Sequence, residues 1–223
     1  MTGIAGAHIP GYELAEPLFG HGGDVRAGRD VRRHRPVSIR LLPPFPDDSG
    51  LAAFLARADR ARALSHPALL RLYDAGQSDG SPYLVSEPVD DPPLSRILAG
   101  GGALPSERVL RLLADAGHAL QHLHDNGMVH GGLRPESIVL SADGTIRVAD
   151  VGMPAPAGAS RGTDVRALGA VAHAALTASL VARAALTRTE SRGVHYRSDH
   201  PRPRSAWQRH LGLVRWRPES RRR

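Results

Sequence analysis

The sequence predicts an α+β, two-lobed arrangement: a small strand-rich lobe carrying one helix, then a mainly helical lobe. Three observations predict it. Short apolar runs broken by turns fill residues 12–45. One apolar helix face spans residues 51–64. After Pro92-Pro93 the apolar positions recur every three or four residues.

Leu14 to Phe19 is a strand that runs into Gly20-His21-Gly22-Gly23, and Asp24 to Ala27 is the next strand. Val37 to Leu42 is the third, stopped by Pro43-Pro44, because proline has no N–H to give a ladder. Asp47, Asp48 and Ser49 are helix-capping residue types. Leu51, Phe54, Leu55, Ala58, Ala61 and Leu64 then share one helical face. Leu69 to Tyr73 and Pro82 to Val85 read as a strand pair around an Asp79-Gly80 turn. Pro105 suits a first helical turn and Gly127 a helix stop, with Val109, Leu113, Ala116, Leu120 and Leu123 along the face between. Ile138 to Leu140 and Thr145 to Val148 flank an Asp143-Gly144 turn. Residues 153–161 form a Pro/Ala/Gly loop, and Asp164 opens another helix. The most apolar window, Ala167 to Leu186, is Ala-rich and contains His173 and Arg183; it reads as a buried helix pair, with no membrane span.

Cysteine is absent, which excludes disulfides, Cys-ligated zinc, iron–sulfur clusters and a thiol nucleophile. All 29 basic residues are arginine. Chemistry that needs a lysine amine is therefore excluded, since a guanidinium stays protonated. Residues 1–182 hold 17 Arg and 19 acids, net −2, and residues 183–223 hold 12 Arg and three acids, net +9. The formal +7 of the chain thus resides in its C-terminal stretch. No basic segment followed by an apolar run opens the sequence, so the expectation is a cytoplasmic protein.

Ordered landmarks now accumulate. Gly20-His21-Gly22-Gly23 precedes Val25, and Leu64-Ser65-His66-Pro67 follows the first helix. Tyr83 to Val89, His122 to His130, Gly131 to Ser137, Val148-Ala149-Asp150-Val151-Gly152 and Asp164 to Gly169 complete the series. Together they resemble the bacterial eukaryotic-type Ser/Thr protein kinases over residues 10–178. The resemblance implies a kinase-like fold, with an N-lobe over 10–90, a truncated C-lobe over 91–178 and an extension over 1–9. It implies a nucleotide site made of Gly20, Gly22, Gly23, Val25, Arg40, Glu87, Val89 and Asp150. The Glu87 carbonyl and Val89 amide would meet an adenine edge, and Arg40 would touch phosphate.

The same resemblance removes the chemistry. Arg40 stands where the family has its phosphate-gripping lysine, and Arg57 where the paired glutamate belongs; that leaves the Arg40 charge unpaired. Gly132 replaces the catalytic carboxylate, and Ser137 replaces a metal ligand. Asp150 alone survives as a candidate metal ligand, and without a partner acid it reads as a solvated or turn-capping residue. Phosphoryl transfer is mainly positioning and charge neutralisation by these parts. The glycine loop is two residues short, and only 11 residues separate Gly152 from Asp164, too few for a normal activation segment.

From about residue 178 a second resemblance takes over. Glu190-Ser191-Arg192-Gly193, His195-Tyr196-Arg197-Ser198-Asp199 and Trp207 to Leu211 resemble the C-terminal region of L-aspartate oxidases, so residues 179–223 are a basic tail of that kind. That family holds FAD on a Rossmann unit, and none is legible here, so no FAD is expected. Tyr196, Trp207 and Trp216 among the arginines would suit a polyanion or nucleic acid; a solvated tail with a small aromatic core is favoured. Leu180, Val181, Ala184, Ala185 and Leu186 would cover apolar surface where the lower lobe stops. His118 and His122 share a helix face, with His124 nearby, but two histidines without a third ligand read as polar helix surface.

For function the residues leave three alternatives. The favoured one is a catalytically inactive pseudokinase, a module for an unknown protein partner that binds ATP weakly and with little metal dependence. The others are an active Ser/Thr kinase with substituted residues and a non-functional fusion relic with an oxidase-like tail.

Overall fold

The structure is a computed structural model that describes residues 8–18, 24–100 and 104–187. The glycine cluster Gly20, Gly22 and Gly23 and the tail beyond Thr187 lie outside the described residues. The first lobe is an antiparallel sheet of β1 (Tyr12–Pro17), β2 (Val25–Asp30), β3 (Arg35–Leu41), β4 (Leu72–Ser78) and β5 (Ser81–Ser86), in the order β1-β2-β3-β5-β4. Helix α1 (Asp48–Arg62) crosses between β3 and β4. Asp47 caps it by accepting the Gly50 amide at 2.8 Å. Its predicted stripe faces inward, with Phe54, Ala58 and Ala61 buried.

The second lobe holds α2 (Leu94–Ala99), α3 (Ser106–Asp125), the β6–β7 hairpin (Ile138–Leu140, Ile146–Val148) and α4 (Arg161–Thr187). Val109, Leu112, Ala116, Leu120 and Leu123 of α3 join the main core with α1, the hairpin and Val171 and Ala175 of α4. An α+β, two-lobed kinase-like fold is therefore present.

Four local expectations differ from the structure. The strand expected at Leu69 to Tyr73 begins only at Leu72, because Ala68 and Leu70 bond to Val148 of the lower lobe instead. The window from Ala167 to Leu186 is one uninterrupted helix, α4, and not a buried pair. Its stretch Arg161–Val181 is long and apolar enough by length and composition to cross a membrane, and 22% of the most apolar window is buried. Its start, however, belongs to the lower-lobe core through Asp164, Val171 and Ala175. Leu180 and Val181 are exposed large apolar side chains, contrary to the covering role expected of them; the side chains of Ala184, Ala185 and Leu186 lie outside the described residues. The boundary expected at residue 178 falls inside α4.

Candidate nucleotide-type cleft

Alternation along β3 builds the cleft. Val37, Ile39 and Leu41 pack into the outer apolar cluster of the sheet, so Ser38 and Arg40 face the opposite side. There they meet Val25, the β5 end, Val89, Val139 and Asp150 around a cavity of about 40 Å³. Val25 is buried in this wall.

At the charged end Arg40 spans two acids. Its guanidinium donates to Asp24 at 2.6 Å and to Asp150 at 3.0 Å. Asp150 sits in the left-handed backbone region, φ 64°, which Asp tolerates better than most residues. Both side chains are largely withdrawn from water, with Arg40 17% and Asp150 12% exposed, so the pair is poorly screened. Asp150 is thus an ion-pair partner and not the solvated acid expected from sequence.

The Arg40 charge, expected to be unpaired, thus has two acids as partners, and Arg57 has partners of its own. Its guanidinium donates to the carbonyls of Met153 at 2.6 Å, of Val129 and of His130. Burial, with a smaller push from Arg60, lowers its pKa, but a guanidinium remains charged. An α1 side chain therefore staples the upper lobe to the backbone at the base of the cleft.

The loop from His130 to Ser137 is held by a buried hub. Asp164 accepts the His130 and Gly131 amides, each at 2.8 Å, and lies 2.8 Å from His124 Nε2. Burial alone would raise the Asp164 pKa, but these hydrogen bonds outweigh it and hold the carboxyl below its usual range. His130 Nε2 lies 2.9 Å from the Ala149 carbonyl, and its Nδ1 accepts the Gly132 amide at 3.3 Å. A carbonyl only accepts, so the proton is on Nε2 and the ring is neutral. Burial accordingly lowers the His130 pKa.

The residues do not fit a kinase metal–phosphate centre. Magnesium takes carboxylate and other oxygen ligands. Asp150 faces a guanidinium, position 132 carries no side chain, and the Ser137 hydroxyl bonds the Arg134 backbone, donating to its carbonyl at 2.9 Å. The histidines make no alternative centre: His124 serves Asp164, and His122 stacks on His66 with ring centroids 5.3 Å apart. Among the described residues no group of three His, Asp or Glu could hold a metal.

At the opposite end lies the hinge. The Val89 amide donates to Ser38 Oγ at 2.9 Å in a buried bond. The Ser86 hydroxyl lies 3.1 Å from the Glu87 carbonyl and 3.5 Å from that of Ser38. Both groups assigned to a base edge thus already have internal partners. Sequence reasoning missed Ser38 and Ser86; the available signal was a polar residue two positions before Arg40, on the same strand face.

Comparison with known proteins agrees with this geometry. The protein kinase domain family matches residues 19–182. Serine/threonine-protein kinase PknB of Mycobacterium leprae is 36% identical over 149 residues, covering 64% of this chain and 24% of the relative. A probable serine/threonine-protein kinase of Streptomyces coelicolor is 34% identical over 150 residues, 64% of this chain and 22% of its own. The chain therefore spans about a quarter of the length of the curated relatives it matches. Among solved structures, the kinase domain of PknI from Mycobacterium tuberculosis superposes with a TM-score of 0.67 at 26% identity, covering 76% of this chain and 74% of that one. The fumarate reductase flavoprotein C-terminal family matches residues 157–221, in line with the oxidase resemblance of the tail. With the two lobes, the hinge, the Asp164-anchored loop and a family match over most of its length, the chain belongs to the protein kinase domain family, on its bacterial eukaryotic-type Ser/Thr branch.

Proposed function

We propose that this chain is a non-catalytic kinase-fold module that binds or regulates a protein partner. One observation carries the reading: the last acid of the metal site, Asp150, is neutralised by Arg40 at 3.0 Å, opposite a catalytic loop with no carboxylate at position 132. Phosphoryl transfer needs metal-held phosphates and a base for the acceptor hydroxyl. Among the described residues none stands ready to supply either. Nucleotide binding, where it occurs, is weak and indifferent to metal, because the acid that would hold the cation is already paired. The test is incubation with γ-labelled ATP, magnesium or manganese, and protein substrates. No time-dependent labelling is expected; labelling abolished by Asp150→Ala would overturn the proposal. The flavoprotein match over residues 157–221 favours one second reading, a fusion relic. A join near codon 178 that is missing from independent isolates would favour that reading.

A further inference from the structure

We propose that Ser38 is a latch that closes the base end of the cleft, making it the residue that excludes adenine. The inference rests on reading the cleft as a weak nucleotide site, and it names what makes the site weak. An adenine edge needs one free N–H and one free carbonyl from the hinge. A carbonyl has two lone pairs, so Glu87 could accept a second bond beside Ser86. An amide has one hydrogen, and that of Val89 is spent on Ser38 Oγ at 2.9 Å. The competition is therefore decided at Val89.

Ser38 is well placed to hold that bond. It is 3% exposed, so water does not compete for its hydroxyl. It sits on β3 directly opposite Ser86 in the ladder with β5, so the sheet fixes its distance from the hinge. The bond joins residues 51 positions apart and ties the sheet to the segment that links the lobes. The cavity beside it, about 40 Å³, is far below the roughly 300–1,000 Å³ of ordinary ligand pockets. The base end is thus closed by the chain's own hydroxyl, independently of the Arg40–Asp150 pair at the phosphate end.

Two measurements on the full chain test this. Amide hydrogen exchange should show Val89 protected in the unaltered protein, with protection lost in Ser38→Ala and kept in Ser86→Ala. Titration with adenosine and with ADP, without metal, should show Ser38→Ala binding both about tenfold more tightly than the unaltered chain, the size of one net hydrogen bond. Equal gains for the two ligands would locate the effect at the base and away from the phosphates. The latch is refuted if Val89 exchanges at unprotected rates in the unaltered protein, which requires no variant to fold. Unchanged affinity in Ser38→Ala, or an equal gain in Ser86→Ala, would also refute it. Phosphate transfer by any of these proteins would sink the proposed function and leave the latch standing.

Discussion

Gly132 has no heavy atom within 4 Å of where a Cβ would stand, so an aspartate fits there. Gly132→Asp should fold with stability within about 0.5 kcal/mol of the parent, as surface substitutions usually do. It should still transfer no phosphate, because Arg40 keeps Asp150 paired and Ser137 stays bonded to its own loop. A radiolabel time course on the purified variant checks this. The neighbouring position behaves oppositely. Gly131 has φ 78°, and its Cβ would stand 2.7 Å from that of Ala155. Gly131→Ala should cost about 1–3 kcal/mol in urea unfolding, from left-handed backbone strain and overpacking. The short loop after Gly152 thus folds over position 131 and leaves no room for a side chain.

Helix α1 and the loop at His130 are coupled through Arg57. Removing its guanidinium orphans backbone carbonyls beneath the helix, so Arg57→Met should lose about 2–3 kcal/mol. Arg57→Glu restores the family's residue type but sets a carboxylate against those carbonyls, and it should unfold at lower urea than Arg57→Met; equal or greater stability would contradict the staple. The Asp164 hub sets a pH response. Burial holds His130 neutral, so its folded pKa lies below the unfolded value of about 6.5. The unfolded chain then binds a proton that the folded one refuses, and stability falls as pH drops below about 6.5. His66 is shifted the same way by burial, with help from His122 and His118. Asp164 is also lowered, so its share is present above about pH 4 and lost as pH falls through its folded pKa. Melting temperatures from pH 7.5 to 3 should fall in these two stages, and Asp164→Asn should shrink the second, which Asp30, Asp47 and Asp143 share because hydrogen bonds lower their pKa values too.

Charge is divided unevenly over the molecule: net −2 for residues 1–182 and net +9 for residues 183–223. Any attraction to a polyanion therefore originates in the tail and weakens with salt. Truncation after Ala182 should abolish salt-sensitive retention on heparin, and equal retention by the shortened chain would place the effect in the lobes. The purified full chain should also be colourless. Flavin pyrophosphate is held by a strand, a glycine turn and a helix N-terminus, and the order of elements through α4 follows a kinase plan. Stoichiometric flavin in fresh protein would contradict both that plan and the reading of the tail.

Much of the fold was legible in the sequence because its causes are local. The capping Asp47, the α1 stripe, the α3 face and the Asp143-Gly144 turn each act within a few residues, and all stand where periodicity and turn chemistry put them. The residue types behind the proposed loss of catalysis were equally legible: a glycine at 132 and an absence of lysine are read directly from the sequence. Tertiary structure decided where the polar groups spend their bonds. Arg40 bridges two acids, Arg57 finds carbonyls 72 and 96 residues away, and Ser38 meets an amide 51 residues on. It also decided that residues 161–187 form one helix, since an apolar run specifies burial but not the partner that provides it. A side chain's type and strand face are written locally. Its hydrogen-bond partner depends on which distant backbone the fold brings within about 3 Å, and no spacing rule carries that information.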